Sequence, residues 1–69
     1  MVRTIKIDGM SCGHCSAAVE RALKEVEQVS GVTVDLAAKA AVVTLTADVP
    51  DEVFVQVIDD AGYDVVNIS

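Results

Sequence analysis

Aromatic residues are nearly missing from this chain: one Phe, one Tyr and no Trp among 69 residues. Proteins that hold single-stranded nucleic acid stack bases on aromatic rings, and this sequence has no such platform. Basic residues are scarce as well, five Lys and Arg against eleven Asp and Glu, for a net charge of −6. Neutralising phosphates needs clustered cations, so the composition argues against nucleic acid as a partner. No apolar run approaches the roughly 20 residues that cross a bilayer, and no membrane insertion is expected. Met1-Val2-Arg3-Thr4 leads straight into alternating residues with no signal-peptide hydrophobic region. The expected compartment is therefore the cytoplasm, where a structural disulfide is not expected. The two cysteines are three positions apart, and a bridge between them would close too small a loop to stabilise the fold much through chain entropy.

What remains is a short, acidic, aliphatic chain. Its length bounds it to one small domain, residues 1–69. Such a domain is marginally stable unless its core is dense. At 52% hydrophobic residues, mostly Val and Ala, two layers can pack closely without large rings.

The pattern along the chain changes period several times. Thr4-Ile5-Lys6-Ile7-Asp8 alternates polar and apolar, the mark of a strand with one buried face. From Gly13 to Val26 the period becomes helical, with Ala18, Val19, Ala22, Leu23 and Val26 on one side. Ser30-Gly31 reads as a turn. Val32, Val34 and Leu36 alternate as a second strand, Ala37 to Ala40 turns, and Ala41, Val43 and Leu45 alternate as a third. Asp48 is the expected N-cap of a second helix, with Pro50 in its first turn and Asp51 and Glu52 placed to suit its dipole. Phe54, Val57 and Ile58 form its buried stripe, Ala61-Gly62 closes it, and Tyr63 to Ile68 is a fourth strand. The order β-α-β-β-α-β predicts an α+β, ferredoxin-like sandwich: a four-stranded antiparallel sheet with both helices on one face.

The chemistry concentrates in Gly9-Met10-Ser11-Cys12-Gly13-His14-Cys15, between the first strand and first helix, which holds both cysteines and the one histidine. Four readings are open: a redox dithiol, half of a zinc site, a complete site for a soft metal, or core packing. The first backbone N–H groups of a helix lack intrahelical partners and favour negative charge. A thiolate placed there is stabilised. A closed structural zinc site needs about four ligands, and no second Cys/His cluster exists to complete one. Two thiolates alone suit a soft ion that accepts two-coordination, chiefly Cu(I). Mercury(II) shares that preference. The helical period puts Cys15 on the side of Val19, Ala22 and Val26, at the rim of the core, and leaves Cys12 in the loop. Gly13 is expected to let that loop bend.

These residues resemble the GMxCxxC motif of heavy-metal-associated domains, found in cytosolic copper chaperones and in the N-terminal regions of copper-transporting P-type ATPases. The resemblance spans essentially the whole chain. It includes Gly62-Tyr63, similar to the Gly-Tyr that precedes the last strand in bacterial members. It implies Cu(I) held by Cys12 and Cys15, a buried packing role for Met10, and Tyr63 close to the metal loop. It also implies a non-enzymatic carrier and, as partner, the metal-binding domain of a copper-transporting P-type ATPase. A copper-bridged homodimer is a further expectation. Zinc-exporting relatives often carry Asp where Ser11 stands, which leans this chain toward Cu(I). One departure is Gln28-Val29 where the family often has Gly-Val, with Gly31 expected to take over the turning. His14 is expected to modulate rather than ligate. With Ala17, Arg21 and Lys24 it forms an exposed stripe expected to face an acidic transporter domain, and Glu20–Lys24 and Arg21–Glu25 pairs are expected along the helix. The alternatives are an excised N-terminal domain of a copper ATPase, a mercury carrier and a dithiol oxidoreductase.

Overall fold

The computed structural model describes residues 1–10 and 13–69. The elements are β1 (Val2–Asp8), α1 (Gly13–Lys24), β2 (Val29–Asp35), β3 (Ala40–Leu45), α2 (Asp51–Asp60) and β4 (Asp64–Ile68). The strands form one antiparallel sheet in the order β2-β3-β1-β4, which is the expected ferredoxin-like topology.

Alternation works as the sequence predicts in the two central strands. Ile5 and Ile7 of β1 and Ala41, Val43 and Leu45 of β3 are buried, and they join Val19 and Leu23 of α1 and Phe54 and Ile58 of α2 in a single cluster. Ile5 sits opposite Ala41, so a large residue faces a small one and the helices can settle close to the sheet. Phe54 is the largest side chain in this core and is fully buried. One ring at the centre suffices where the rest of the layer is aliphatic.

The edges depart from the expectation. Ser30 and Gly31 do not turn the chain. They lie inside β2, where Val29 pairs with Leu45 and Gly31 with Thr44, so Ser30 is the extra residue of a bulge. The turn comes earlier, closed by Val29 N–H donating to the Val26 carbonyl at 3.0 Å. Gly31 is not in the left-handed region and pairs within β2, so it does not take over the turning. β2 ends at Asp35, and Leu36 is exposed in the hairpin. That hairpin is held by Asp35 Oδ1, which accepts from the Ala38 N–H at 3.2 Å, and by Lys39 in the left-handed region at φ 53°. A matching bulge lies on β4: Lys6 pairs with Asn67 and Ile7 with Val65, which leaves Val66 over.

Both helices are shorter or differently capped than the pattern suggests. α1 stops at Lys24. Within it Ala18 is exposed and Ala22 half-buried, because the buried stripe narrows to Val19 and Leu23. The N-cap of α2 is Pro50, not Asp48, and no side chain caps its N–H groups. Proline locks φ near the −60° seen here and starts the helix by geometry rather than by hydrogen bonding. Val49 is buried just ahead of it. The C-terminal end behaves as predicted. Gly62 takes φ +94°, its N–H donates to Asp59 O at 2.9 Å, and Tyr63 N–H donates to Ile58 O at 3.1 Å. This pair of bonds is a Schellman motif, and it turns the chain directly into Tyr63 and β4.

Candidate metal centre

The site is built where β1 hands over to α1. β1 runs to Asp8, Gly9 turns the chain at φ +98°, and Met10 drops into the core with 5% of its surface exposed. A residue with a side chain is strained at that φ. α1 then starts at Gly13. Met10 therefore anchors one end of the CxxC segment, as expected of a packing methionine, and α1 anchors the other.

Cys15 sits in the first turn of α1. It is half-buried and packs against the core cluster, which matches its predicted place at the core rim. Cys12, the second predicted ligand, and Ser11 lie outside the described residues. His14 is exposed on the neighbouring side of the helix. Among the described residues no group of three or more His, Cys, Asp and Glu side chains converges as a metal cage. What the described part of the site offers to a metal is thus one sulfur at a helix N-terminus, with no carboxylate in that first turn. The helix end supplies free N–H groups to a thiolate.

Gly13 does not have the role expected of it. It is the first helical residue, is not left-handed, and a Cβ there would meet nothing within 4 Å. The left-handed glycine on this side of the sheet-to-helix connection is Gly9. Ser16 also contributes: its hydroxyl donates to the Gly13 carbonyl at 2.8 Å and fastens the first turn. The sequence reading passed over it, although a Ser placed three residues after the helix start is a recognisable local bond.

Tyr63 completes the surroundings. The Schellman turn delivers it half-buried beside Gly9, where a Cβ would lie 3.3 Å from Tyr63 Cδ1. Its ring thus lies against the start of the metal loop.

The predicted stripe of α1 is real: His14, Ala17, Arg21 and Lys24 are all exposed. Its basic end lies in the last turn of the helix. At ~1.5 Å per helical residue, Arg21 lies roughly 12 Å along the axis from Gly13 and Lys24 about 16 Å. Lys24 reaches Glu20 at 3.9 Å, and no Arg21–Glu25 pair forms among the described residues. Among those residues no helix is long and apolar enough to cross a membrane.

Comparison with known proteins agrees with this geometry. Residues 4–64 match the family model of the heavy-metal-associated domain. A copper chaperone of Bacillus subtilis, CopZ, is 42% identical over 64 residues, which are 91% of this chain and 93% of the relative. Among solved structures, a CopZ metallochaperone superposes with a TM-score of 0.88 at 36% identity, covering 96% of this chain and 100% of the other. A copper-binding domain from the P-type ATPase HMA7 superposes with a TM-score of 0.83 at 31% identity, covering 100% and 99%.

Proposed function

The chain belongs to the heavy-metal-associated domain family, and on that premise we propose that it is a cytosolic Cu(I) metallochaperone, a single domain over residues 1–69. In this reading Cys12 and Cys15 hold the ion as two thiolates, and the metal is cargo rather than a resident cofactor. The observation that carries the proposal is Cys15 in the first turn of α1, packed on the core, with its CxxC partner in the segment between buried Met10 and that helix. One ligand is fixed by packing, and the other lies between Met10 and Gly13 in the sequence.

Transfer proceeds by ligand exchange. A thiolate of the receiving protein forms a third sulfur bond to Cu(I), the Cys12 bond breaks, and Cys15 lets go as a second receiving thiolate binds. The ion stays Cu(I) throughout. Each receiving thiol sheds its proton on binding, and each released thiolate takes one up. The proposed receiver is the metal-binding domain of a copper-transporting P-type ATPase. Its support is the likeness to a P-type ATPase copper-binding domain, since donor and receiver of one fold present matching loops. A second copy of the chain can supply the entering sulfur too, giving a copper-bridged homodimer. Nothing in this chemistry turns over a substrate, so the protein acts as a carrier and not as an enzyme.

The test is an anaerobic titration of the reduced protein with Cu(I) against a strong Cu(I) chelator, in excess Zn(II). One Cu(I) per chain, unmoved by zinc, is the expected result. Cys12→Ser and Cys15→Ser each abolish tight binding; unchanged affinity in either variant rules out the two-thiolate site. Complete loss of copper to the chelator by the parent protein overturns the copper reading and moves attention to mercury and to disulfide chemistry.

A further inference from the structure

Asp8-Gly9 is the one place in the chain where glycine follows an aspartate. The structure explains why glycine stands there. The chain leaves β1 at φ +98°, a conformation unfavourable for any residue with a side chain, and a Cβ would lie 3.3 Å from Tyr63 Cδ1. The same turn leaves the Gly9 nitrogen with no neighbouring Cβ to shield it.

Two groups that can react with each other are both free of partners here. β1 ends at Asp8, and the Ile7 N–H just before it donates to Lys39 O at 2.8 Å. The Gly9 N–H donates to no acceptor among the described residues. The Asp8 carboxylate is exposed and forms no ion pair among the described residues. It borders an open groove of about 360 Å³ with Lys6, Lys39 and Asn67, which gives the side chain room to fold back and lets water in. Strand pairing sets Asp8 opposite Asp64. Like charges directly opposite each other on two strands are unfavourable, so a step that removes the Asp8 charge is assisted.

We propose that Asp8 is a modification site, where the chain isomerises spontaneously to isoaspartate through a cyclic imide. The Gly9 nitrogen attacks Cγ of the protonated Asp8 carboxyl. The N–Cγ bond forms, the Cγ–OH bond breaks, and the hydroxyl leaves as water with the proton from the Gly9 nitrogen. Water then adds to the imide. Addition at Cγ breaks the N–Cγ bond and restores aspartate. Addition at the Asp8 main-chain carbonyl carbon breaks its bond to the Gly9 nitrogen, and the main chain then runs through Cβ and Cγ. One water leaves and one enters, and nothing is oxidised or reduced. Closing a ring within one chain avoids the entropy loss of bringing two molecules together.

The product has one more main-chain bond, about 1.5 Å long, between β1 and Met10. Met10 is buried and Gly9 lies against Tyr63, so the extra length falls at one anchor of the CxxC segment. Its effect on copper rests on the metallochaperone reading; the isomerisation itself does not.

The test ages the reduced, metal-free full chain at body temperature, in mildly acidic buffer made with heavy-oxygen water. Isoaspartate is measured peptide by peptide, by heavy-oxygen uptake and by an enzyme that methylates isoaspartyl carboxylates. The peptide containing Asp8 is expected to gain at least tenfold more than any other aspartate-bearing peptide. Asp8→Glu keeps the charge but closes its larger ring more slowly, and is expected to lose that excess. An even spread over the aspartates, or the same excess in Asp8→Glu, overturns the proposal. So does a folded chain that reacts at least tenfold more slowly than the chain in urea, since the fold would then protect the site. The isomerised chain, separated by chromatography, is compared with the parent against a Cu(I) chelator. At least threefold weaker binding is expected, and equal affinity overturns the link to the metal segment. A parent chain that binds no Cu(I) overturns the metallochaperone reading instead, and the isoaspartate measurement, made without metal, tells the two failures apart.

Discussion

Gly9 and Tyr63 meet at the head of the metal loop: a Cβ added at Gly9 would sit 3.3 Å from Tyr63 Cδ1, and Gly9 is at φ +98°. Gly62 is equally left-handed at φ +94°, yet a Cβ there would meet nothing within 4 Å. The two glycines separate backbone strain from crowding. Gly62→Ala is expected to cost about 1 kcal/mol, the conformational part alone. Gly9→Ala carries that cost and a displaced ring besides, so its loss in urea unfolding should be the larger. Equal losses in the two variants would mean that the Tyr63 ring yields freely.

The same contact puts the Tyr63 ring beside Gly9, at the start of the metal loop. Tyr63→Ala is expected to leave one Cu(I) per chain and to speed its release to a competing chelator several-fold in stopped-flow mixing. An unchanged rate would limit Tyr63 to packing.

Strands β1 and β3 were legible because alternation is a strong signal when one face is fully buried, as at Ile5, Ile7, Val43 and Leu45. The start of α1 next to the cysteines was legible for a related reason: the switch from a period of two to a helical one falls there. The edges were not. Ser30-Gly31 has the composition of a turn, but pairing with β3 absorbs Ser30 as a bulge, and register with a neighbouring strand is not written locally. How far Arg21 and Lys24 stand along α1 from its first turn is not legible from a helical wheel, which shows the face and hides the axial distance.

Asp48 has the residue type of a helix cap, yet the cap position is Pro50. A capping Asp replaced by Ala costs typically ~1 kcal/mol. Asp48→Ala is therefore expected to change stability by under about 0.5 kcal/mol, the range of ordinary surface substitutions. A loss near 1 kcal/mol in thermal unfolding would restore the capping role.

Arg3 and Asp51 tie β1 to the start of α2 with side chains 26% and 56% exposed. Exposed pairs are screened and contribute roughly 0.2–1 kcal/mol. A double-mutant cycle with Arg3→Ala and Asp51→Ala should give a coupling within that range that shrinks as salt is added. A coupling that salt does not touch would point to packing of the Arg3 stem rather than charge.

Phe54 tests whether fold and metal site are thermodynamically linked. It is fully buried and the largest residue of the core, so Phe54→Ala should cost about 3–5 kcal/mol through lost transfer energy and a residual cavity. Domains of this size have only ~3–10 kcal/mol in hand, so the metal-free variant should melt far below the parent. A ligand that binds only the folded chain returns about 4 kcal/mol at a thousandfold excess over its dissociation constant. Saturating Cu(I) under anaerobic conditions should therefore restore most of the lost melting temperature. That recovery requires the folded chain to hold the two thiols better than the unfolded one does, which Met10 and the first turn of α1 are placed to do. If copper leaves the melting of Phe54→Ala unmoved, the CxxC binds as well in the unfolded chain, and the fold serves only to present the metal to its receiver.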